Sequence, residues 1–183
     1  MNIKSAIIDG ASILKRRFIS SADLDSEILM AEAIKKKREF LILNSNFTID
    51  KKDLKIFYKL IKKRSAREPI AYITNKKSFW NSEFFVTKDT LIPRPDTELI
   101  IENVLKFTKN KESLRILDIG IGSGCILLSI LKEKKNFYGT GIDISKKCLK
   151  ISKINAINLK VYHRLKLIKT DVDKFISSKY DLI

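Results

Sequence analysis

Apolar positions recur at intervals of three and four through the first third of the chain. Ile3, Ile7, Ala11, Leu14 and Phe18 share one stripe, which predicts an amphipathic helix over Ile3 to Ile19. Ser20, Ser21 and Asp23 offer capping groups for a second helix, with Leu24, Ile28, Ala31 and Ile34 facing inward. The charge run Lys35 to Arg38 reads as a solvated helix end, Phe40 to Leu43 as a short apolar patch, and Asn44 to Asn46 as a turn. Asp50 opens a third helix, striped by Leu54, Phe57, Leu60 and Ile61. Residues 1–68 are therefore expected to form a small helical bundle.

The period changes at Pro69. Pro69 to Thr74 is apolar and leans toward β structure, and Phe79-Trp80, Asn81-Ser82 and Phe84-Phe85-Val86 predict a hairpin with Asn81-Ser82 at its turn. Pro93 and Pro95 fix an extended segment, after which Asp96 is placed to cap a helix running to about Phe107. Residues 69–95 thus read as a hairpin and a proline-rich linker. From Leu114 the pattern becomes strand, helix, strand, helix, strand: Leu114 to Ile119, Cys125 to Leu131, Phe137 to Ile142, Ser145 to Ile157, and Leu165 to Lys169. A short helix over Val172 to Ile176 and the start of a fourth strand at Tyr180 to Ile183 follow. Alternating β and α elements predict an α/β fold, a doubly wound, mostly parallel sheet over residues 96–183.

The chemistry concentrates where the first of these strands meets its helix. Leu-Arg-Ile-Leu-Asp-Ile-Gly-Ile-Gly-Ser-Gly, from Leu114 to Gly124, sets glycines at 120, 122 and 124. Such a loop turns sharply and brings a ligand close to backbone at a helix N-terminus. Asp118, Asp143 and Asp171 all stand at or near carboxyl ends of predicted strands, where ligands of open α/β sheets sit. A dinucleotide site wants a small residue at position 125, which is Cys125, whereas the third glycine comes early, at 124. The Asp-x-Gly-x-Gly-x-Gly spacing resembles instead the first motif of S-adenosylmethionine (SAM) dependent methyltransferases.

Composition narrows the alternatives. With 44% apolar and 32% charged residues the chain is ordinary for a globular protein. No apolar run reaches the roughly 18 residues of a membrane span, and no secretion-signal pattern opens the chain, so no membrane partner and a cytoplasmic location are expected. One histidine and two cysteines without ligand spacing leave no metal site, and both thiols are expected to be free and buried. The net charge of +16 suits an acidic partner such as nucleic acid or the ribosome. Scattered lysines without interleaved aromatics favour plain surface solvation, and no specific nucleic acid is expected.

Taken together, these stretches resemble the release factor glutamine methyltransferases, the HemK/PrmC family. The likeness rests on Arg67-Glu68-Pro69-Ile70-Ala71-Tyr72-Ile73, Phe79-Trp80, Leu91-Ile92-Pro93-Arg94-Pro95-Asp96-Thr97-Glu98, Ile116 to Gly124, and Asp143. It covers essentially the whole chain. It implies SAM-dependent methylation of the glutamine side-chain amide in the Gly-Gly-Gln motif of peptide-chain release factors, with the N-terminal helices docking the factor and the ribosome as a further association. Asp118 would belong to the cofactor site, Gly120, Ile121, Gly122, Ser123 and Gly124 would hold the methionine part, Asp143 the ribose hydroxyls, and Asp171 and Val172 would lie near the adenine. Ile121 stands where a threonine is common, and Val172 where a larger residue is common; both are expected to weaken binding without abolishing it.

The family's Asn-Pro-Pro-Tyr, expected directly after the fourth strand, does not follow Tyr180 to Ile183. An amide nitrogen is a poor nucleophile and must be held in line by acceptors. The resemblance therefore implies a fragment, weak or inactive alone, with no catalytic residue assigned and the C-terminal strands of the sheet missing. The exposed edge of the first strand is expected to cause dimerisation or poor solubility. A non-catalytic remnant that binds SAM or a release factor, a nucleic-acid methyltransferase, and a dinucleotide-dependent oxidoreductase are the other readings.

Overall fold

The computed structural model describes residues 1–176 and 179–183, which form two compact units, Met1–Thr74 and Asn75–Ile183. The first unit is helical: α1 (Ile3–Lys15), α2 (Ala22–Ala33), α3 (Arg38–Leu43), α4 (Lys51–Ser65) and α5 (Ile70–Thr74). Asn2 starts α1 by accepting the Ser5 N–H at 2.8 Å. Ile3, Leu14, Leu29, Met30, Phe57 and Ile61 are fully buried in the core. Gly10 lets three helices meet, since a Cβ there would lie 2.6 Å from Phe57 Cζ and 2.7 Å from Ser26 Oγ.

Four details of this unit depart from the pattern read along the chain. Phe18 lies beyond the end of α1, in a left-handed conformation (φ 55°) and 87% exposed. On α2 Leu24 is exposed and Ile28 only partly buried, while Ala31 and Ile34 pack against the margin of the core; the fully buried positions are Ala22, Asp25, Ser26, Leu29, Met30 and Ala33. Two polar residues turn inward because each has a partner. Asp25 accepts from Arg64 Nε at 2.7 Å and from Ser21 Oγ at 2.8 Å, and Ser26 Oγ donates to the Ile7 carbonyl at 2.8 Å. The short apolar patch Phe40 to Leu43, for which no element is read from the sequence, belongs to a helix of its own, Arg38–Leu43. Pro69 to Thr74, read as β-leaning, is helical from Ile70. Pro69 lacks an N–H, which a first turn does not need, and its carbonyl accepts the Ile73 N–H at 3.1 Å.

The second unit opens with a hairpin of β1 (Lys76–Phe79) and β2 (Ser82–Phe85), paired antiparallel. Its loop is Trp80-Asn81, one residue earlier than the sequence suggests, because Ser82 already pairs with Phe79. Trp80 holds the left-handed corner (φ 50°) with both of its N–H groups bonded: the backbone one to Glu98 and the indole one to Glu133, each at 2.8 Å. A 3₁₀ turn at Pro95–Thr97 leads into α6 (Glu98–Phe107). Asp96 lies within that turn and does not cap the helix; the residue before α6 is Thr97, already in helical conformation, so no side chain is aimed at the first N–H groups.

Strands β3 (Arg115–Ile119), β4 (Tyr138–Asp143) and β5 (Leu165–Lys169) then form a parallel sheet in the order β3-β4-β5, joined through α7 (Cys125–Glu133) and α8 (Lys146–Asn158). The α/β architecture expected from the sequence is the one observed. Tyr180 to Ile183, read as the start of a fourth strand, contributes a single parallel bridge, Ile116 with Leu182, in which Leu117 N donates to the Leu182 carbonyl at 2.9 Å.

The Asp25–Arg64 pair ties α2 to α4 with side chains only 6% and 17% exposed. Removing one partner leaves a buried charge without compensation. Arg64→Leu should therefore weaken the first unit by about 3–5 kcal/mol, and adding Asp25→Asn should recover part of the loss. Hydrogen exchange at α2 and α4 amides measures both.

Candidate functional site

Five residues carry the chain from the end of β3 to the start of α7, and three of them are left-handed: Gly120 (φ 74°), Gly122 (φ 54°) and Gly124 (φ 81°). Side chains adopt that region only at a cost, which glycine avoids at each. The residues between them turn inward. Ile121 is 5% and Ser123 4% exposed. The Ile121 side chain fills a notch in β4, where a Cβ on Gly141 would come within 2.2 Å of Ile121 Cδ1. What faces outward is backbone: Gly120 is exposed, and a Cβ there would meet nothing within 4 Å.

The loop arches over the end of β4. The Gly120 and Ile121 N–H groups both donate to the Ile142 carbonyl, at 2.9 and 3.0 Å. Asp143, the last residue of β4 and 9% exposed, accepts the Gly122 N–H on Oδ2 at 3.1 Å and the Ser145 N–H on Oδ1 at 2.8 Å. Ser145 in turn caps α8 by accepting from the Cys148 N–H. A carboxylate offers about four acceptor positions, and the Gly122 and Ser145 N–H groups take two of them. The carbonyl of Asp143 accepts the Thr170 N–H at 3.2 Å, which sets the ends of β4 and β5 side by side. Asp171, next along the chain, is exposed and accepts the Asp173 N–H, and Val172 is half exposed. Strand order therefore places Asp118, Asp143 and Asp171 along one edge of the sheet.

Asp118 has a different task from Asp143. Its carboxylate lies beside the first turn of α7, where the Leu127 N–H favours its charged form. Its pKa is pushed up from 3.8 to about 6, first by removal from water; the Leu127 N–H opposes this, and the neighbouring Asp143 charge adds to it. It also lines an otherwise apolar cavity of about 320 Å³ against β3, walled by Ile100, Val104, Ile116, Ile126, Leu127 and Leu182 among others. Neither Asp143 nor any loop glycine lines that cavity. The two thiols are free, Cys148 buried and Cys125 half-buried, and burial raises both pKa values, so neither is an activated nucleophile. Among the described residues no group of three or more His, Cys, Asp or Glu is set to hold a metal, and no helix is long and apolar enough to cross a membrane.

The profile of the PrmC N-terminal domain matches residues 5–74, and that of the methyltransferase small domain matches residues 95–183. A release factor glutamine methyltransferase of Clostridium acetobutylicum is 38% identical over 186 residues, covering 100% of this chain and 65% of the relative. Those of Buchnera aphidicola (from Acyrthosiphon pisum) and Leptospira interrogans are each 40% identical, covering 87% and 80% of this chain and 56% and 51% of the relatives. The chain is similar over nearly its whole length to the release factor glutamine methyltransferases, the HemK/PrmC family. It spans about half to two thirds of the length of these HemK/PrmC relatives. A solved SAM-dependent methyltransferase of Geobacter sulfurreducens, in complex with S-adenosyl-L-homocysteine, aligns with 46% of this chain and 32% of its own at 27% identity and a TM-score of 0.39.

Two residues that bear on the loop escape a reading of the sequence. Ser152 and Asn155 are fully buried on α8, on the stripe that also carries Cys148, Ile151 and Ala156. Polar side chains three apart within an apolar stripe are the signal that could mark them, since buried polar groups need partners.

The position of Asp118 predicts a pH response. Its folded pKa, about 6, lies above its ordinary 3.8. The folded state thus holds the proton more tightly, and this contribution to stability is full below about pH 4 and lost as pH rises to about 6. Asp118→Asn has no such loss. Urea unfolding at pH 4.5 and pH 7 should show the variant gaining stability relative to the native chain at the higher pH. A difference that stays constant across that window contradicts the burial of a titrating carboxylate there.

Proposed function

We propose that the second unit binds SAM on the glycine loop, and that the chain forms part of an enzyme that methylates the glutamine side-chain amide in the Gly-Gly-Gln motif of peptide-chain release factors. The observation that carries the reading is the loop itself: three left-handed glycines arched over Asp143, with open space above Gly120, in a chain similar to the HemK/PrmC family. SAM supplies, when bound, a methyl group on a positively charged sulfur. The residues fit such a group. Asp143 keeps two acceptor positions for a ribose diol, and Gly120 to Gly124 let a ligand approach the backbone. Asp171 and Val172, exposed beside β4, would border the adenine.

Electrostatics supports SAM over a dinucleotide. The Asp143 charge lies close enough to disfavour the charged form of Asp118, at the start of α7. A cationic ligand relieves that repulsion, whereas a pyrophosphate would add to it. The helices of the first unit would dock the release factor, as their match to the PrmC N-terminal domain supports. Activation of the amide nitrogen belongs to the whole protein, and no residue of this chain is assigned that step.

Calorimetry with the chain and SAM should show saturable binding, at least tenfold weaker in Asp143→Ala and unchanged in Asp9→Ala, whose carboxylate accepts from Tyr58 in the first unit. Equal affinity in both variants removes Asp143 from the site. Saturable binding of a nicotinamide dinucleotide with none of SAM overturns the reading. For the substrate, transfer of a labelled methyl group by the whole protein should appear on the Gly-Gly-Gln glutamine of a release factor; label appearing on RNA instead overturns that part.

A further inference from the structure

We infer that Ser152 and Asn155 are positioning residues, holding the glycine loop in its ligand-ready shape from beneath. The inference rests on the reading of that loop as the SAM site. A loop that alternates left-handed and ordinary residues turns its peptide planes one against another, and its carbonyls must find donors where water does not reach. Here α8 provides them. Ser152 Oγ donates to the Gly122 carbonyl at 2.7 Å, with a longer alternative to the Cys148 carbonyl at 3.2 Å. Asn155 Nδ2 donates to the Ser123 carbonyl at 2.9 Å.

The same Asn155 amide does a second job. Its Oδ1 accepts the Phe85 N–H at 2.7 Å, and its Nδ2 donates to the Phe85 carbonyl at 3.0 Å, so the side chain pairs with the end of β2 as a neighbouring strand would. One acceptor and two donors are spent on three backbone groups. Aspartate has no donors, and glutamine places the same groups a methylene further out. One buried amide thereby joins the hairpin to the cofactor loop. Two further contacts from α8 hold the chain just past the hairpin: Cys148 Sγ to the Asp89 carbonyl, and Lys147 Nζ to the Asp89 carboxylate, each at 3.0 Å.

Losing the Ser152 hydroxyl leaves the Gly122 carbonyl without its side-chain donor and frees the 122–123 peptide to rotate out of register with Asp143. Ser129 supplies the control. Its hydroxyl is equally buried, on α7, and has no hydrogen-bond partner among the described residues. Ser152→Ala and Ser129→Ala therefore make the same chemical change in neighbouring helices, and only the first touches the loop.

The test measures SAM binding by calorimetry and the Gly122 amide resonance by NMR in the native chain and both variants. Ser152→Ala should bind SAM roughly three- to tenfold more weakly, the size of one hydrogen bond, and should move the Gly122 resonance in the absence of ligand. Ser129→Ala should change neither. Asn155→Asp, which keeps the acceptor and loses both donors, should weaken binding further and move the Phe85 resonance as well; if it fails to fold, the serine pair still decides. Native-like affinity and an unmoved Gly122 signal in Ser152→Ala overturn the inference. So does an equal loss in Ser129→Ala. A native chain that binds no SAM overturns the reading beneath it, while the Gly122 signal still decides whether Ser152 positions the loop.

Discussion

Between Ile119 and Cys125 the backbone must leave a strand and enter a helix in five residues, and it does so by taking the left-handed region at every second one. The rest of the second unit is arranged around that constraint. Left-handed positions can carry no side chain cheaply, so 120, 122 and 124 are glycine and present backbone. The positions between them must carry the anchors. Ile121 fits its notch only because residue 141 is glycine, so a side-chain requirement in the loop fixes a residue in the neighbouring strand. Gly124 is bound the same way to the helix that follows, since a Cβ there would lie 2.7 Å from Leu128 Cδ1. Sequence, packing and the open space above Gly120 are consequences of one backbone path.

Much of this path is legible in the sequence. Alternating glycines between an apolar strand and an apolar helix demand a tight loop of left-handed turns, and strand periodicity identifies β3, β4 and β5 to within a residue. The acids at the sheet edge are visible too, because topology alone places strand ends together. Their separate tasks are not. Asp118 and Asp143 look alike in one dimension; one serves the first turn of α7 and the other the glycine loop, and only the direction of each carboxylate tells them apart. Ile121 reads in the sequence as a contact to the ligand, yet its side chain faces the sheet and only its backbone belongs to the loop.

Two of the misreadings share a cause: side-chain partners distant along the chain. Hydropathy draws the stripe on α2 through Leu24 because Asp25 and Ser26 are polar, but Arg64 and the Ile7 carbonyl, 39 and 19 residues away, make those two the buried ones. Turn propensity places the hairpin turn on Asn81-Ser82. Glu98 and Glu133, 18 and 53 residues on, give Trp80 the hydrogen bonds that hold it in the corner instead. Glu98 also shows that part of Leu91 to Glu98, the stretch most specific to the resemblance, does structural work by fastening the hairpin to the start of α6. Propensity sees neighbours along the chain, and a hydrogen bond across 50 residues outweighs it.

A site built this way has its rigidity supplied from below. The loop's outward surface is bare backbone, which cannot hold its own shape against water competing for every carbonyl and N–H. Asp143 takes one N–H, β4 takes two more through Ile142, and α8 takes two carbonyls, so nearly every polar group on the inner side has a protein partner. On the proposed reading, the groups left on the outer side are the ones SAM would meet, already oriented, so that binding would spend little on ordering the protein. The cost was incurred on folding, in the burial of Ser152, Asn155 and Asp143, polar residues whose partners include the backbone of the loop.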